Sequence, residues 1–267
     1  MISYPHRTRI QKAFSRSADG YEELSDLQQQ VGNELIRLAD DLGSHRRILD
    51  VGMGTGLLTR RLKQRWPSAQ VVGLDFAFGM VAQARRRPED VRLIQADASL
   101  LPFKKETFDL VFSNLAYQWV DGLPQVFTST AANLKPGGCF CLSLFTRNSL
   151  QELFVSLRQA VQERRGLREI YIRHLPTAQE VLNAVGQAGL RLSVERRQHM
   201  RLAFWDLMAL LRWLKGIGAN AAPRDFYVGK EMLKRADVHC RKEFGDEHRI
   251  YISFEILLIQ AFRPRKG

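Results

Sequence analysis

The sequence predicts an α/β fold in which a mostly parallel sheet carries helices on both of its faces. Short apolar runs typical of buried strands alternate with helical patterns from about residue 46 to residue 145. Strands that alternate with helices are joined by right-handed crossovers into a parallel sheet. The 267 residues, 45% hydrophobic and 25% charged, have the ordinary composition of a globular protein that buries its core without disulfides.

The predicted elements follow from apolar periodicity and from turn residues. The first strand covers 46–51, and the helix after it passes through Leu58, Leu62 and Trp66 before Pro67 helps to end it. In chain order, the next elements are a strand at 70–75, a helix at 79–87, strands at 91–95 and 108–113, a helix at 123–134 and a strand at 139–145.

In the rest of the chain, the predicted strands and helices no longer alternate regularly. Helical patterns cover 151–164, 177–188, 203–215 and 229–242, and strand-like runs cover 190–197 and 249–261. We expect the two late strands to complete the sheet with an antiparallel edge. The helices between them, and an N-terminal helical segment that includes 25–38, should then cover the ligand-binding end, because open α/β sheets bind ligands at the carboxyl ends of their strands.

The charge balance favours an anionic partner. There are 40 basic and 28 acidic side chains, a net charge of +12, and such an excess attracts anions over a long range. Residues 1–150 contribute +4 and residues 151–267 contribute +8. We therefore expect residues 151–267 to produce most of the positive electrostatic potential.

The cysteines indicate a reducing compartment, so we expect a cytoplasmic protein. The chain has three cysteines, an odd number without metal-ligand spacing, which argues against a disulfide framework or a metal site. Cys139 and Cys141 share one face of a predicted strand, where we expect small inert hydrophobic side chains. The sequence contains neither an apolar run long enough for a spanning helix nor the apolar core of a secretory signal.

A glycine-rich turn, Asp-Val-Gly-Met-Gly-Thr-Gly at 50–56, follows the first predicted strand. Glycines permit positive φ and let a ligand approach backbone N–H groups closely. Leu57 stands where a dinucleotide fingerprint requires its last glycine, so binding of a pyrophosphate is disfavoured. Asp50 would lie poorly beside a diphosphate but well beside an ammonium group.

Two more acidic residues fall where successive strands end. Asp75 closes the second strand, where a carboxylate can accept both hydroxyls of a ribose. Asp97 follows the third strand and can accept from the adenine amine, while the N–H of Ala98 donates to the ring. Each acid alone is more often a cap or a solvated loop residue, but three of them beside a glycine turn predict a nucleoside site.

This constellation resembles that of the class I S-adenosylmethionine-dependent methyltransferases over about residues 40–146. The turn at 50–56 is similar to their first motif, and the residues at 134–138 to the turn before their fifth strand. Asp50 stands where Glu is more common, which shortens the reach and keeps the charge. The resemblance implies a Rossmann-like fold with a mostly parallel seven-stranded sheet, helices on both faces and a helical cover. It implies S-adenosyl-L-methionine as cofactor, bound by Asp50, Gly52, Met53, Gly54, Gly56, Asp75, Phe76, Met80, Asp97, Ala98, Asn114 and Leu115.

The flanking segments narrow the resemblance. The segments at 13–22, 26–28, 113–119 (SNLAYQW) and 214–219 (LKGIGA) are similar to the malonyl-[acyl-carrier protein] O-methyltransferases of biotin synthesis. This match spans nearly the whole chain and implies methyl transfer to the free carboxylate of a malonyl thioester, on acyl carrier protein or coenzyme A. It also implies one domain, with an N-terminal helical lid (1–42), a cofactor-binding core (43–146) and a part that completes the sheet and supplies the cover (147–267).

The implied chemistry needs no general base, because a carboxylic acid with an ordinary pKa of about 4 is already ionised at neutral pH. Catalysis should come from alignment of oxygen, methyl and sulfur at roughly 3 Å. We expect one carboxylate oxygen to be held and the other to stay free. The candidates for this task are Tyr21, Tyr117, Gln118, Trp119, Arg147 and Lys215. Tyr21 is alternatively a lid over the methionine moiety, Tyr117 and Trp119 core aromatics, and Lys215 a partner of a helix C-terminus.

The acyl carrier proteins of this family are acidic, which implies a basic docking face. The pool for that face is Arg164, Arg165, Arg168, Arg173, Arg196, Arg197, Arg201 and Arg212. Methyl transfer to nucleic acid or to a quinone-type small molecule are the alternatives, together with a binding module without activity. The chain lacks the Asn/Asp-Pro-Pro-aromatic motif and the Pro-Cys nucleophile of nucleic-acid methyltransferases, and we expect neither a nucleic-acid nor a membrane partner.

Overall fold

A computed structural model describes residues 5–40, 43–87, 90–162, 175–220 and 229–265, and of residues 5, 6 and 40 only the backbone. The described strands form a seven-stranded sheet with the order β3-β2-β1-β4-β5-β7-β6. Their bounds are β1 Arg47–Val51, β2 Gln70–Asp75, β3 Arg92–Gln95, β4 Phe108–Asn114, β5 Leu134–Phe145, β6 Arg191–Phe204 and β7 Ile250–Phe262.

Helices lie on both faces of the sheet and over its carboxyl edge. Their bounds are α1 Pro5–Ser17, α2 Tyr21–Leu24, α3 Asp26–Asp40, α4 Leu57–Arg65, α5 Phe78–Arg85, α6 Leu123–Asn133, α7 Gln151–Gln162, α8 Ala178–Gln187, α9 Leu207–Gly216 and α10 Lys230–Phe244. Short 3₁₀ turns cover Ala18–Gly20 and Tyr117–Trp119.

The sheet topology places the ligand-binding end. Strands β1 to β5 are parallel, β7 runs antiparallel to β5, and β6 runs antiparallel to β7. The predicted antiparallel edge is therefore confirmed. The chain moves outward from β1 to β3 and then returns to pair β4 with the other side of β1. Such a reversal opens a crevice at the carboxyl ends of the strands, next to the glycine turn that follows β1.

The core consists of two apolar layers, one on each face of the sheet. Alternate side chains of a strand point to opposite faces, so Ile48 and Leu110 pack against α3, α4, α7, α9 and α10, whereas Leu49 and Val111 pack against α6 and α8. This packing fixes the ends of β1 and β4 relative to each other, and the site residues lie directly beyond those ends.

The main error of the predicted elements concerns 190–215. We predict a strand to residue 197 and a helix from residue 203, but β6 continues to Phe204 and α9 begins at Leu207. Met200, Leu202 and Phe204 are half-buried at alternate positions, a period-2 pattern that indicates a strand. The side chain of Asp206 then accepts from the backbone N–H of Ala209 at 2.6 Å and caps α9.

The three cysteines are buried free thiols. The sulfur atoms of Cys139 and Cys141 lie 3.6 Å apart on one face of β5, and burial raises the pKa of Cys139 far above the ordinary range. These contacts agree with inert packing groups. Within the described ranges, no helix is both long and apolar enough to cross a membrane, and no group of three or more His, Cys, Asp or Glu side chains is arranged to hold a metal ion.

Candidate active site

The glycine turn after β1 is held by backbone hydrogen bonds to β2. The N–H groups of Gly52 and Met53 donate to the carbonyl oxygen of Leu74 at 2.7 and 3.0 Å. Gly52 has φ +76°, and a Cβ at this position would lie 2.2 Å from the Cβ of Ala116. Only glycine fits this close approach with positive φ, so the turn presents its backbone directly to the space beyond the strands.

Asp50 lies at the buried end of this space. Its side chain is 2% exposed and accepts from the hydroxyl of Thr59 at 2.6 Å. Burial, reinforced by the charge of Asp75 and opposed by the Thr59 hydrogen bond, raises the pKa of Asp50 from 3.8 to about 7. A buried carboxylate of this kind is stabilised by a cation that binds beside it.

Asp75 ends β2 and orients the turn. Its two carboxylate oxygens accept from the backbone N–H groups of Gly54 and Ala77 at 2.9 and 2.8 Å. Burial raises the pKa of Asp75, although these hydrogen bonds and that of Phe76 favour the ionised form. The carboxylate is thereby fixed at the cavity wall with acceptor capacity left for hydroxyl donors.

Asp97 lies after β3 at the opposite end of the same cavity. One carboxylate oxygen accepts from the backbone N–H and the hydroxyl of Ser99 at 2.8 and 2.7 Å. The other is paired with the guanidinium group of Arg7 on α1, which also donates to the Ser99 hydroxyl at 2.9 Å. The first helix is thus tied to the predicted adenine end of the site.

One cavity joins Asp75 and Asp97 to the glycine turn. Its lining combines apolar side chains with a few polar groups, as is typical of small-molecule and cofactor sites. Of the predicted cofactor residues, those that line it are Gly52, Gly54, Asp75, Phe76, Met80, Asp97, Ala98, Asn114 and Leu115.

A smaller neighbouring cavity extends the first toward Asp50. Tyr21, Gly52, Gly54 and Asn114 line both cavities. Asp50 and Met53 line the smaller one together with Gln28 and others. The side-chain oxygen of Gln28 is buried and has no hydrogen-bond partner among the described residues. An unpaired buried acceptor is costly, so the oxygen of Gln28 beside the carboxylate of Asp50 marks a place for a cationic donor.

Helix α1 forms a roof over the main cavity. Ile10 and Phe14, one helical turn apart, line the cavity. The ring of Phe14 meets the ring of Trp119 edge to face, with 5.2 Å between centroids. The roof sits close to α5, because a Cβ on Gly79 would come within 2.1 Å of the Ser15 carbonyl oxygen. These contacts give the cavity an apolar upper wall.

A second tie joins the segment after α1 to the glycine turn. Glu22 accepts from the hydroxyl of Thr55 at 2.8 Å and pairs with Arg87 at 2.8 Å. Burial opposes ionisation of Glu22, but these hydrogen bonds and the charges of Arg87 and Arg60 hold its pKa below the ordinary value. The ionised carboxylate therefore fastens α2, and with it Tyr21, beside the turn.

Comparisons with known proteins identify the family. A family described as "Methyltransferase domain" matches residues 48–138. The malonyl-[acyl-carrier protein] O-methyltransferase of Xylella fastidiosa strain M23 is 38% identical over 263 residues, 96% of this chain and 87% of that protein. The chain belongs to the malonyl-[acyl-carrier protein] O-methyltransferase family. A family member from Hahella chejuensis is 34% identical, over 90% of this chain and 86% of that protein. The "Biotin biosynthesis bifunctional protein BioHC" of Cellvibrio japonicus is 32% identical, over 97% of this chain and 50% of that protein.

Solved structures agree on the fold of this family member. The YcgJ protein of Bacillus subtilis superposes with a TM-score of 0.60 at 20% identity, over 88% of this chain and 99% of that one. A geranyl diphosphate C-methyltransferase of Streptomyces coelicolor, in complex with S-adenosyl-L-homocysteine, gives a TM-score of 0.54 at 17% identity, over 91% and 83% of the two chains. The predicted class I methyltransferase fold is confirmed, and S-adenosyl-L-methionine is the cofactor of the family.

The predicted acceptor residues of this methyltransferase separate into two groups. Tyr21 and Trp119 line the main cavity. Gln118 is buried but does not line it, Arg147 is paired with Glu180 at 3.5 Å beside α8, and Lys215 is exposed at the end of α9. Of the six predicted acceptor residues, the structure therefore brings only Tyr21 and Trp119 to the main cavity.

Tyr117 is the clearest departure from the prediction. Its side chain is fully buried in the core, and its hydroxyl is 2.8 Å from the hydroxyl of Thr130. Its ring meets those of Phe127 and Phe140 edge to face. Tyr117 is the core aromatic that the alternative interpretation describes, and we do not assign it to the acceptor.

Gly56 and Asn114 have structural roles around the site. Gly56, with φ +78°, precedes α4 and lets the chain enter that helix. The amide of Asn114 donates to the carbonyl oxygen of Gln28 at 2.9 Å and accepts from the hydroxyl of Ser143 at 2.7 Å. Asn114 thus connects the end of β4 to α3, next to the unpaired oxygen of Gln28.

Sequence reasoning misses Arg7, Ile10, Phe14 and Gln28. The first three lie on a helix far from the glycine turn in sequence, and no local motif links them to it. The Ile10–Phe14 spacing, i and i+4, marks only an apolar helix face. Phe14 and Gln28 stand in segments that carry the family resemblance, 13–22 and 26–28, and that is the only signal that connects them with the site.

Proposed function

We propose that the chain transfers the methyl group of S-adenosyl-L-methionine to the free carboxylate of a malonyl thioester carried by acyl carrier protein. The products are the malonyl-thioester methyl ester and S-adenosyl-L-homocysteine. The names of the relatives support this reaction and its place in biotin synthesis. The observation that carries the proposal is the arrangement of Asp50, Asp75 and Asp97 around two connected cavities.

The residues present fit the cofactor from end to end. Asp50 and the unpaired oxygen of Gln28 are two acceptors for its ammonium group. Asp75 would accept from its ribose, and Asp97 with the N–H of Ala98 would hold its adenine. When bound, the cofactor would supply a sulfonium methyl group that an anionic oxygen can attack, with the neutral thioether S-adenosyl-L-homocysteine as the leaving group.

The part of the cavity that would receive the malonyl carboxylate needs a neutral hydrogen-bond donor and an apolar wall. Burial and the charge of Asp75 raise the pKa of Tyr21 well above its ordinary value, so the Tyr21 hydroxyl stays protonated and serves as a donor rather than as a base. No histidine or lysine lies among the described residues that line the main cavity. This lining suits a malonyl carboxylate that is already ionised. The rings of Phe14 and Trp119 would exclude water, which strengthens the electrostatic interactions of the reacting groups.

The test is methyl transfer from labelled S-adenosyl-L-methionine with purified protein. Malonyl carrier protein should accept label, whereas acetyl carrier protein, which has no free carboxylate, should not. The Asp75→Asn variant serves as the control for cofactor binding. Label on RNA or on a quinone but not on malonyl carrier protein would refute the proposal. The buried free thiols fit a reducing cytoplasmic compartment, which stays a prediction.

A further inference from the structure

We infer that an acidic carrier protein docks on the outer surface of α1, the helix that covers the cavity, and of the neighbouring helix α9. This surface, the cationic roof, consists of Arg9, Lys12, Arg16, Arg212 and Lys215. The inference rests on the proposed function, because it concerns the partner that delivers the malonyl group. It assigns the docking face to the cover of the site rather than to the basic residues of β6.

Helix α1 supplies three cations in a stripe. The segment Pro5–Ser17 contains no acidic residue. Arg9, Lys12 and Arg16 are spaced i, i+3 and i+7, so they follow one another along one side of the helix. Ile10 and Phe14 face the cavity, whereas Lys12 and Arg16 are exposed and Arg9 is half-exposed. The helix thus presents an apolar face to the site and a cationic face to solvent.

Helix α9 extends this surface. Met208, Arg212 and Lys215, spaced i, i+4 and i+7, are all exposed. The end of α9 lies against α1, since a Cβ on Gly218 would come within 2.7 Å of the Phe14 ring and 2.8 Å of the Ser17 hydroxyl. The two cationic stripes therefore lie on neighbouring helices, and the stripe of α9 includes an exposed methionine.

The cations of the roof lack carboxylate partners. Within the described ranges, none of the five forms an ion pair. Three exposed acids, Asp19, Glu23 and Asp26, lie at 19–26, and Asp19 is paired with Arg86 at 3.2 Å.

The predicted docking residues of β6, by contrast, have partners of their own. Arg197 pairs with Glu195 at 2.8 Å, and Arg196 lies 3.9 Å from Glu34. The guanidinium of Arg201 stacks on the ring of Tyr251 at 4.8 Å.

Of the described members of the sequence-predicted docking pool, only Arg212 lies on the cationic roof. The four members at 164–173 lie outside the described residues. Unpaired charge steers an oppositely charged partner more effectively than neutralised charge, because its field is not cancelled at short range. A carrier protein that settles on the roof would hold its prosthetic arm at the cavity mouth, next to Phe14 and Trp119.

The test compares two double variants with the same loss of charge. K12A/R16A removes two cations from the roof. R47A/R191A removes two exposed cations from the starts of β1 and β6, at the edge of the sheet opposite the cavity. For each protein, kcat/KM is measured with malonyl carrier protein and with the small thioester malonyl-N-acetylcysteamine, and the affinity for unacylated carrier protein is measured by fluorescence anisotropy.

K12A/R16A should lose about tenfold in kcat/KM and in affinity with carrier protein at low salt, and should keep its activity with the small thioester within about twofold. R47A/R191A should have the kcat/KM of the wild type with both thioesters. Equal losses with both thioesters, or equal losses in both variants, would overturn the inference. A K12A/R16A variant that loses affinity for RNA or for anionic vesicles, but not for carrier protein, would also overturn the inference. Absence of transfer to either thioester by the wild type would refute the proposed function alone, since the anisotropy measurement still tests the docking face.

Discussion

The floor and the roof of the cavity are built in different ways. The floor consists of Asp50, Gly52, Asp75 and Asp97, which lie within two residues of the ends of β1, β2 and β3 and are fixed by hydrogen bonds from backbone or hydroxyl groups. The roof consists of α1, whose Phe14 packs its ring on that of Trp119 and whose Arg7 pairs with Asp97 of the floor.

This difference separates recognition of the cofactor from recognition of the acceptor. Backbone hydrogen bonds at strand ends leave the floor little freedom, as a constant cofactor requires. Apolar contacts between helices can be exchanged at small cost, so the roof is the part in which acceptor specificity can change. Changes to the floor should therefore cost the most, and changes to the roof the least.

The largest effect is expected for Gly52→Ala. The added Cβ would meet the Cβ of Ala116 at 2.2 Å and would shift the turn, so methyl transfer should fall about 100-fold. Gly189→Ala is the matched control, because Gly189 has φ +72° with no atom within 4 Å of an added Cβ. It should lose on the order of 1 kcal/mol of stability and no affinity for S-adenosyl-L-homocysteine in calorimetry. Equal cofactor affinity in both variants would show that the floor is not rigid.

The next largest effect is expected for the pH dependence of cofactor affinity and of stability. Asp50, with a pKa of about 7, must be ionised to hold an ammonium group, so affinity for S-adenosyl-L-homocysteine should rise more than about tenfold from pH 5.5 to 7.5. Without ligand the sign reverses. The folded protein retains a proton that the unfolded chain releases, so its stability should fall as pH rises from about 4 to 7. Asp50→Asn should remove the contribution of Asp50 to both trends and leave that of Asp75, whose pKa burial also raises. Methylthioadenosine, which lacks the ammonium group, should bind independently of pH, and a pH-dependent affinity for it would place the titrating group elsewhere.

The floor is also the part of the molecule that the sequence predicts best. Each carboxylate is two or fewer residues from a strand end, so the apolar run and the acid that follows it place the residue at the carboxyl edge. The roof and β6 are not predictable in this way. Phe14 meets Trp119 across 105 positions of the chain, and Tyr117, two residues from Trp119, turns into the core because the 3₁₀ turn Tyr117–Trp119 sends neighbouring rings to different sides.

A smaller effect is expected for Gln28→Leu, at the border between floor and roof. The leucine keeps the volume of the side chain and removes the buried oxygen that has no partner among the described residues. A hydrogen bond to a charged group is worth about 1.5 kcal/mol or more, so affinity for S-adenosyl-L-homocysteine should fall about tenfold. Affinity for methylthioadenosine should stay the same in calorimetry. An equal loss for both ligands would mean that Gln28 shapes the cavity and does not bind the ammonium group.

The smallest effect is expected for Phe14→Leu in the roof. An edge-to-face ring pair contributes about 0.5–1.5 kcal/mol beyond its buried area, so the KM for a malonyl thioester should rise a few-fold while affinity for S-adenosyl-L-homocysteine changes little. Phe145→Leu is the control, because Phe145 packs on Phe254 at 5.4 Å within the core. It should lower thermal stability and leave KM unchanged. If Phe14→Leu instead lowers the affinity for S-adenosyl-L-homocysteine and leaves KM unchanged, the roof belongs to the cofactor site. The assignment of the floor to the cofactor and of the roof to the acceptor would then be wrong.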